Sequence, residues 1–315
     1  MNDLAFVTAL YYHTPLSRIG GRGWGMEHWA APARNLLSLD VPLIVYTHEH
    51  ERVKLESFFQ RFGYTKYKII VEDLEDFYRS EQIFELKESN GIINSAELAN
   101  TEFYNENNRN HHLCLQKINW LHKHASEGTF NASKYCWIDF GLFHHGLFPD
   151  SLGGAEKLQP IRDEDFWPMN QISMFQPKLA QGIFDSIDPG KFLCIHHGNE
   201  PVNTKLLKMM DVEERDNKGY IIGGLFGGDK NIISFMHEKF NQLVDRAFEN
   251  RMLVLEEPFL SVLYSTYHDM CKSFRFENWY HDCPGGDGVD RCCYGVDSSV
   301  YSFYKIFYKD FLGHE

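Results

Sequence analysis

No apolar run in this sequence reaches the roughly 18–20 residues that a membrane-spanning helix needs. Met1 to Val7 carries no lysine or arginine and reads directly into a strand, so no secretory leader is expected. Positive charge is scarce as well: 31 Lys and Arg stand against 44 Asp and Glu, a formal net charge of −13 at pH 7. Nucleic-acid binding needs a concentrated basic field, and none is gathered here, so that partner class is set aside. A nucleotide-sized ligand is not excluded, because a metal or a helix N-terminus can offset its charge locally.

Several chemical signatures are missing too. His-Glu-x-x-His and Gly-x-Ser-x-Gly do not occur. The glycine run Gly223-Gly224-Leu225-Phe226-Gly227-Gly228 continues into Asp229-Lys230, which breaks the Walker pattern, and it lacks the three-glycine spacing of a dinucleotide fingerprint. The seven cysteines are an odd number; Cys114, Cys136 and Cys194 lie in apolar runs and read as buried free thiols, with the cytosol as the default compartment. Cys283, Cys292 and Cys293, near His281, match no zinc spacing.

What is present centres on Lys134-Tyr135-Cys136-Trp137-Ile138-Asp139-Phe140-Gly141. Tyr135 to Ile138 is a short apolar run of β-forming types, the pattern of a strand buried on both faces. A carboxylate at the end of such a strand stands where open α/β sheets bind ligands. The alternative is a turn in which Asp139 accepts backbone N–H bonds. Aromatic residues make up 15% of the chain, with 25 Phe and 16 Tyr, enough for a core and for a site that stacks on flat rings.

Along the chain, Leu4 to Leu10 and Val41 to Thr47 read as buried strands and Tyr67 to Val71 as a third strand, with helices over Ala33 to Leu39 and Glu51 to Phe62. Strand, helix, strand, helix, strand opens a parallel sheet with Rossmann-like winding. Leu74 to Glu88 and His111 to Ala125 read as helices, Arg18 to Trp29 and Asp150 to Arg162 as loops, and Met174–Phe175 and Phe192–Ile195 as strand segments. A long helix is expected over Lys230 to Asn250, capped by Asp229, and another from Glu256, with Pro258 in its first turn. No repeat or linker divides the chain.

Two alternatives stay open at each remaining constellation. The glycine run is either a backbone-lined wall approached by a ligand ring or a tight strand-to-helix turn. Glu256 and Glu257 either complement a helix N-terminus or supply a general base or a carboxylate beside a reacting sugar carbon. Of the sixteen histidines, the pairs His111-His112, His144-His145 and His196-His197 are mostly surface or satisfied polar residues, with His144, His196 and His281 the candidates for function.

Taken together, the N-terminal Phe-Val-Thr-Ala strand, the second strand ending Val-Tyr-Thr, Gln116-Lys117-Ile118 on a helix, Trp137-Ile138-Asp139-Phe140-Gly141, the glycine run and Leu255-Glu256-Glu257-Pro258 form a recognisable order. It resembles the bacterial WlaTC/HtrL (YibB-like) glycosyltransferases and, more distantly, other GT-A transferases, over about residues 4 to 270. The resemblance implies a GT-A-like, Rossmann-like α/β fold: a mixed, mostly parallel sheet flanked by helices, as one continuous domain over 1–315. About 1–145 would bind the nucleotide-sugar and about 146–315 the acceptor.

It further implies that Thr8, Ala9, Tyr11, Tyr46, Thr47 and His48 line the nucleoside pocket, with Trp137 and Ile138 beside the donor and Lys117 at the diphosphate. Asp139 and His281 would hold Mn²⁺ or Mg²⁺. Gly224, Phe226, Gly227 and Gly228 would form the sugar and acceptor wall, and Glu257, next to Glu256, the carboxylate near the reacting carbon. The implied reaction moves a sugar from a nucleotide-sugar, a UDP-sugar foremost, to a hydroxyl of a glycan or lipid-linked acceptor in surface polysaccharide synthesis. It would be cytoplasmic, with peripheral membrane contact. One departure stands out: the usual Asp-x-Asp has Gly141 at its second acidic position. The competing expectations are a metal-dependent hydrolase built on the histidine pairs and a non-catalytic carbohydrate- or nucleotide-binding protein.

Overall fold

The computed structural model describes residues 3–11, 36–37, 39–88, 93–94, 110–140, 177–197 and 220–276. Six of the seven strands of one sheet run in the same direction: β1 (Leu4–Leu10), β2 (Leu43–Thr47), β3 (Tyr67–Val71), β5 (Lys134–Ile138) and, past an antiparallel strand, β6 (Phe192–His197) and β9 (Cys271–Phe276). That antiparallel strand is β7 (Tyr220–Asp229), and β9 closes the far edge, giving the seven-strand order β3-β2-β1-β5-β7-β6-β9. The short strands β4 (Ile93–Asn94) and β8 (Met252–Leu253) pair separately.

The central strands β1, β2 and β5 are apolar because both faces of the sheet are covered there. Alternate residues of β1 and β5 serve different cores. Ala5, Val7, Tyr135 and Trp137 face helices α3 (Asn110–Glu127), α5 (Lys230–Glu249) and α6 (Glu256–Thr266), together with Ile118, Leu121, Met236, Phe240 and Phe259. Leu4, Phe6, Cys136 and Ile138 pack on the other side with Leu55 and Phe59 of α1 (Glu49–Arg61) and Ile183 of α4 (Pro177–Ser186). Cys136 and Cys194 are buried free thiols as expected, whereas Cys114 and Cys271 are only partly covered.

Helix α5 starts where the sequence places it. The Asp229 carboxylate accepts the backbone N–H groups of Asn231 and Ile232, and Ile232, Ile233, Met236, Phe240, Val244 and Ala247 form its buried stripe. The helix expected over Leu74 to Glu88 is interrupted: one 3₁₀ turn, Leu74–Asp76, is followed by α2 (Ser80–Glu88), with Arg79 at φ +62° between them. His111 and His112, read as surface or satisfied polar residues, are buried in the first turn of α3. The stretches Arg18 to Trp29, Asp150 to Arg162, Met174–Phe175 and most of Ala33 to Leu39 lie outside the described residues.

The glycine run is the clearest correction. It is neither a loop nor a turn but the interior of β7, paired with β5 from Ile138↔Leu225 to Lys134↔Asp229. A Cβ on Gly227 would stand 2.2 Å from the Tyr135 carbonyl oxygen and 2.6 Å from Cys136 Cα. Only glycine lets the two strands come that close.

The chain order decides where a ligand can enter. From β1 it winds outward through β2 to β3, then returns to the opposite side of β1 as β5. The reversal between β1 and β5 is a topological switch point, and ligands of open α/β sheets bind in the crevice outside the carboxyl ends of such strands.

Candidate active site

Asp139 is the first residue past β5, at that crevice. Its N–H donates to the Gly224 carbonyl, 2.9 Å away, which holds the end of β5 against β7. In extended chain, residues two apart share a face, and so the Trp137 indole donates Nε1–H to Asp139 Oδ1 at 2.7 Å. The same oxygen lies 3.0 Å from the Lys117 ammonium, projected from α3. Among the described residues nothing bonds to Oδ2, and the Asp139 side chain is 41% exposed.

Lys117 is shared. Its Nζ is 2.6 Å from Glu256 Oε1 and donates to the Gly223 carbonyl at 3.2 Å, so three acceptors match the three N–H bonds of the ammonium. Burial alone would lower its pKa, but the charges of Asp139 and Glu256 outweigh that and hold it well above the ordinary lysine value. Glu256 itself is 4% exposed, in the first turn of α6, where the helix dipole also favours a carboxylate. Room for it is made by Gly223, whose added Cβ would stand 2.5 Å from Glu256 Oε1.

Glu257 points to the same place from the next position of α6. Its Oε1 accepts the Gly223 N–H at 2.9 Å and its Oε2 the Tyr220 hydroxyl at 3.1 Å. The carboxyl group is ringed by protein atoms, although part of the side chain stays open. Burial first, and then the Glu256 charge, push its pKa up to about 7, against the opposing pull of the Gly223 N–H, Lys117 and Tyr220. Cys114, also on α3, completes the cluster: burial and then the Glu256 charge raise its thiol well above the usual value, so it is an unreactive neighbour rather than a nucleophile. Glu256 thus stands at a helix start against a buried cation, and Glu257 carries a carboxyl whose pKa is raised by burial and by the Glu256 charge.

A second rim forms at the ends of β1, β2 and β3. The Tyr11 hydroxyl donates to the Glu72 carbonyl at 2.9 Å, and its ring meets that of His48 edge-on with centroids 4.6 Å apart. His48 Nδ1 lies 3.1 Å from Asp73 Oδ1. The remaining residues expected around the nucleoside lie deeper. Tyr46 is fully buried, stacked 4.3 Å from Trp120 with its hydroxyl 2.8 Å from His124 Nε2. Thr47 donates to the Leu10 carbonyl at 2.7 Å. Thr8 is buried with its hydroxyl unpaired among the described residues, and Ala9 is packed against the core.

The structure therefore corrects several positions. Tyr46, Thr47 and Ile138 are interior supports, and Trp137 orients Asp139 from below rather than facing a donor. Phe226 is fully buried between Trp137 and Phe192, while Gly227 and Gly228 are closed off by Tyr135, Cys136 and Ile232, so these three form no sugar wall. Of the expected wall only Gly224 touches the site, through Asp139. The sequence reading missed Tyr220, Cys114, Trp120, Glu72 and Asp73. The Trp137–Asp139 bond was within reach, since the i, i+2 spacing on a strand puts both side chains on one face.

The expected divalent cation does not fit these residues. Mn²⁺ and Mg²⁺ need several oxygen ligands, yet among the described residues no group of three His, Cys, Asp or Glu side chains converges. His281 lies outside the described residues. Asp139 Oδ1 is already taken by Trp137 and by an ammonium. A second cation about 4 Å from Lys117 would meet repulsion on the order of 4 kcal/mol per unit charge at an effective dielectric constant of 20.

No protein-family model and no curated protein sequence matches the chain. Solved structures with a similar arrangement include a protein of Bacillus anthracis described as a glucose-1-phosphate thymidylyltransferase, in complex with a sucrose, at 9% identity and a TM-score of 0.36, covering 86% of either chain. Another is the 4-diphosphocytidyl-2C-methyl-D-erythritol synthase of Anaerococcus prevotii DSM 20548, at 10% identity and a TM-score of 0.30, covering 85% of this chain and 92% of that one. At these scores neither says what this chain does. Among the described residues no helix is long and apolar enough to cross a membrane.

Proposed function

We propose that the chain is a glycosyltransferase that moves a sugar from a nucleotide-sugar to an acceptor hydroxyl. The observation that carries this reading is the convergence of Asp139, Lys117, Glu256 and Glu257 beside the β1/β5 switch point, with one carboxylate partly exposed and another tuned to about 7. The nucleoside lies at the rim made by Tyr11 and His48. Asp139, held through Oδ1, presents its other oxygen to a sugar hydroxyl. Glu257 takes the proton of the acceptor hydroxyl if configuration is inverted, or stabilises the cation-like sugar if it is retained. About 1–145 serves the donor and about 146–315 a glycan or lipid-linked acceptor, as expected from the resemblance.

A thermal-shift panel of UDP, GDP, CMP and dTDP on wild type and Asp139→Asn tests this. A ligand at a hundred times its Kd adds about 2.7 kcal/mol of stability, so one nucleotide should raise the melting temperature clearly, UDP being first in line. If no nucleotide shifts the transition and the purified protein carries tightly bound zinc, the hydrolase reading replaces this one.

A further inference from the structure

We propose that Lys117 stands in for the divalent cation at this site: its ammonium is the built-in counter-ion of Asp139 and Glu256, and no metal binds at Asp139. The part concerning donor binding rests on the glycosyltransferase reading; the part concerning the cation does not.

Three observations point the same way. The strand-end motif offers one carboxylate, because Gly141 occupies the second acidic position. The inner oxygen of that carboxylate is saturated by Trp137 Nε1 at 2.7 Å and Lys117 Nζ at 3.0 Å. The ammonium is anchored as a tripod by Asp139, Glu256 at 2.6 Å and the Gly223 carbonyl at 3.2 Å, so it cannot swing aside without leaving Glu256, 4% exposed, without its counter-charge. Asp139, Glu256 and a carbonyl oxygen around one centre are oxygen donors of the kind a hard cation takes, and here a lysine side chain fills that centre. Lys117 is thus a positioning residue, which holds both carboxylates in place.

Removing the side chain should therefore turn the centre into a metal site. Isothermal titration with Mn²⁺ alone would be run on wild type, Asp139→Asn, Lys117→Ala, Lys117→Arg and the Lys117→Ala/Asp139→Asn double variant. Wild type and Asp139→Asn are expected to bind Mn²⁺ equally weakly. Lys117→Ala should gain a site at least tenfold tighter than any in wild type, lost again in the double variant and absent from Lys117→Arg. Where a nucleotide binds in the panel above, its affinity should be the same in EDTA as in Mn²⁺.

An Mn²⁺ site in wild type that weakens tenfold or more in Asp139→Asn overturns the proposal, as does a folded Lys117→Ala that gains nothing. Should Lys117→Ala not fold, the wild-type and Asp139→Asn pair still decides, because Asp139 is 41% exposed and its amide variant leaves the Lys117–Glu256 pair intact. If no nucleotide binds at all, the glycosyltransferase reading fails while the Mn²⁺ titrations still give their answer.

Discussion

Glu256 and Lys117 meet at 2.6 Å with side chains 4% and 12% exposed, a nearly buried ion pair joining α6 to α3. Breaking such a pair from one side leaves an uncompensated buried charge, at a cost of about 3–5 kcal/mol. Lys117→Met should lower stability by that order in urea denaturation, and Glu256→Gln should recover much of the loss in the Lys117→Met background. An additive double variant would show that the pair does not couple the two helices.

The pH dependence of Glu257 has a definite sign. Its folded pKa, about 7, lies above the ordinary carboxyl value of 4.5, so its contribution to stability is full below 4.5 and is lost as pH rises through 7. The shift corresponds to roughly 3 kcal/mol. Glu257→Gln keeps the shape without the charge, and its stability relative to wild type should climb between pH 4.5 and 7 and level off above about 8. A constant difference across that range would remove the raised pKa. In turnover, the acidic limb of the wild-type profile should fall near pH 7.

Glycines of two kinds should separate in mutagenesis. Gly227→Ala forces a Cβ to within 2.2 Å of a backbone oxygen in the neighbouring strand, and should cost more than about 3 kcal/mol or prevent folding. Gly128 has open space around it but sits at φ +67°, so Gly128→Ala should cost only about 1 kcal/mol. Equal losses in thermal denaturation would contradict the close approach of β5 and β7.

Asp229 ties the end of β7 to α5 and also accepts the Gly190 N–H at 2.6 Å. Burial would raise its pKa, but these three backbone N–H groups outweigh that and lower it. The stability they give is present above the unfolded value of 3.8 and lost as pH falls below it. Asp229→Ala should cost about 1–2 kcal/mol at pH 7, and the gap to wild type should narrow below pH 4. A gap unchanged down to pH 2 would mean that the carboxylate charge does not contribute.

Much of the fold was legible because hydrophobic patterning is local. Leu4–Leu10, Tyr67–Val71 and the Asp229 cap fall where composition and periodicity put them. The turn reading of the glycine run failed for a physical reason: Gly227 answers to Tyr135 and Cys136 on a strand nearly a hundred residues earlier, and a turn and a crowded strand interior use the same residue. The site was legible in part. Asp139, Lys117, Glu256 and Glu257 were each singled out, but not as one hydrogen-bonded group. The resemblance placed Tyr46, Phe226 and Ile138 at a ligand, and the side of a strand that a residue faces does not say how deep it lies.

By itself the sequence determined the central buried strands, the long capped helix, an acidic protein, a carboxylate at a strand end and, far along the chain, two adjacent glutamates. Only the tertiary structure decided what that carboxylate faces. It brings Lys117 from α3 and Glu256 from α6 onto one ammonium-centred tripod and turns Trp137 into a prop. It also raises Glu257 to about 7, first by burying its carboxyl and then by setting it beside Glu256. Charge and burial act through space, so elements far apart in the chain set the chemistry of a residue that local sequence could only locate.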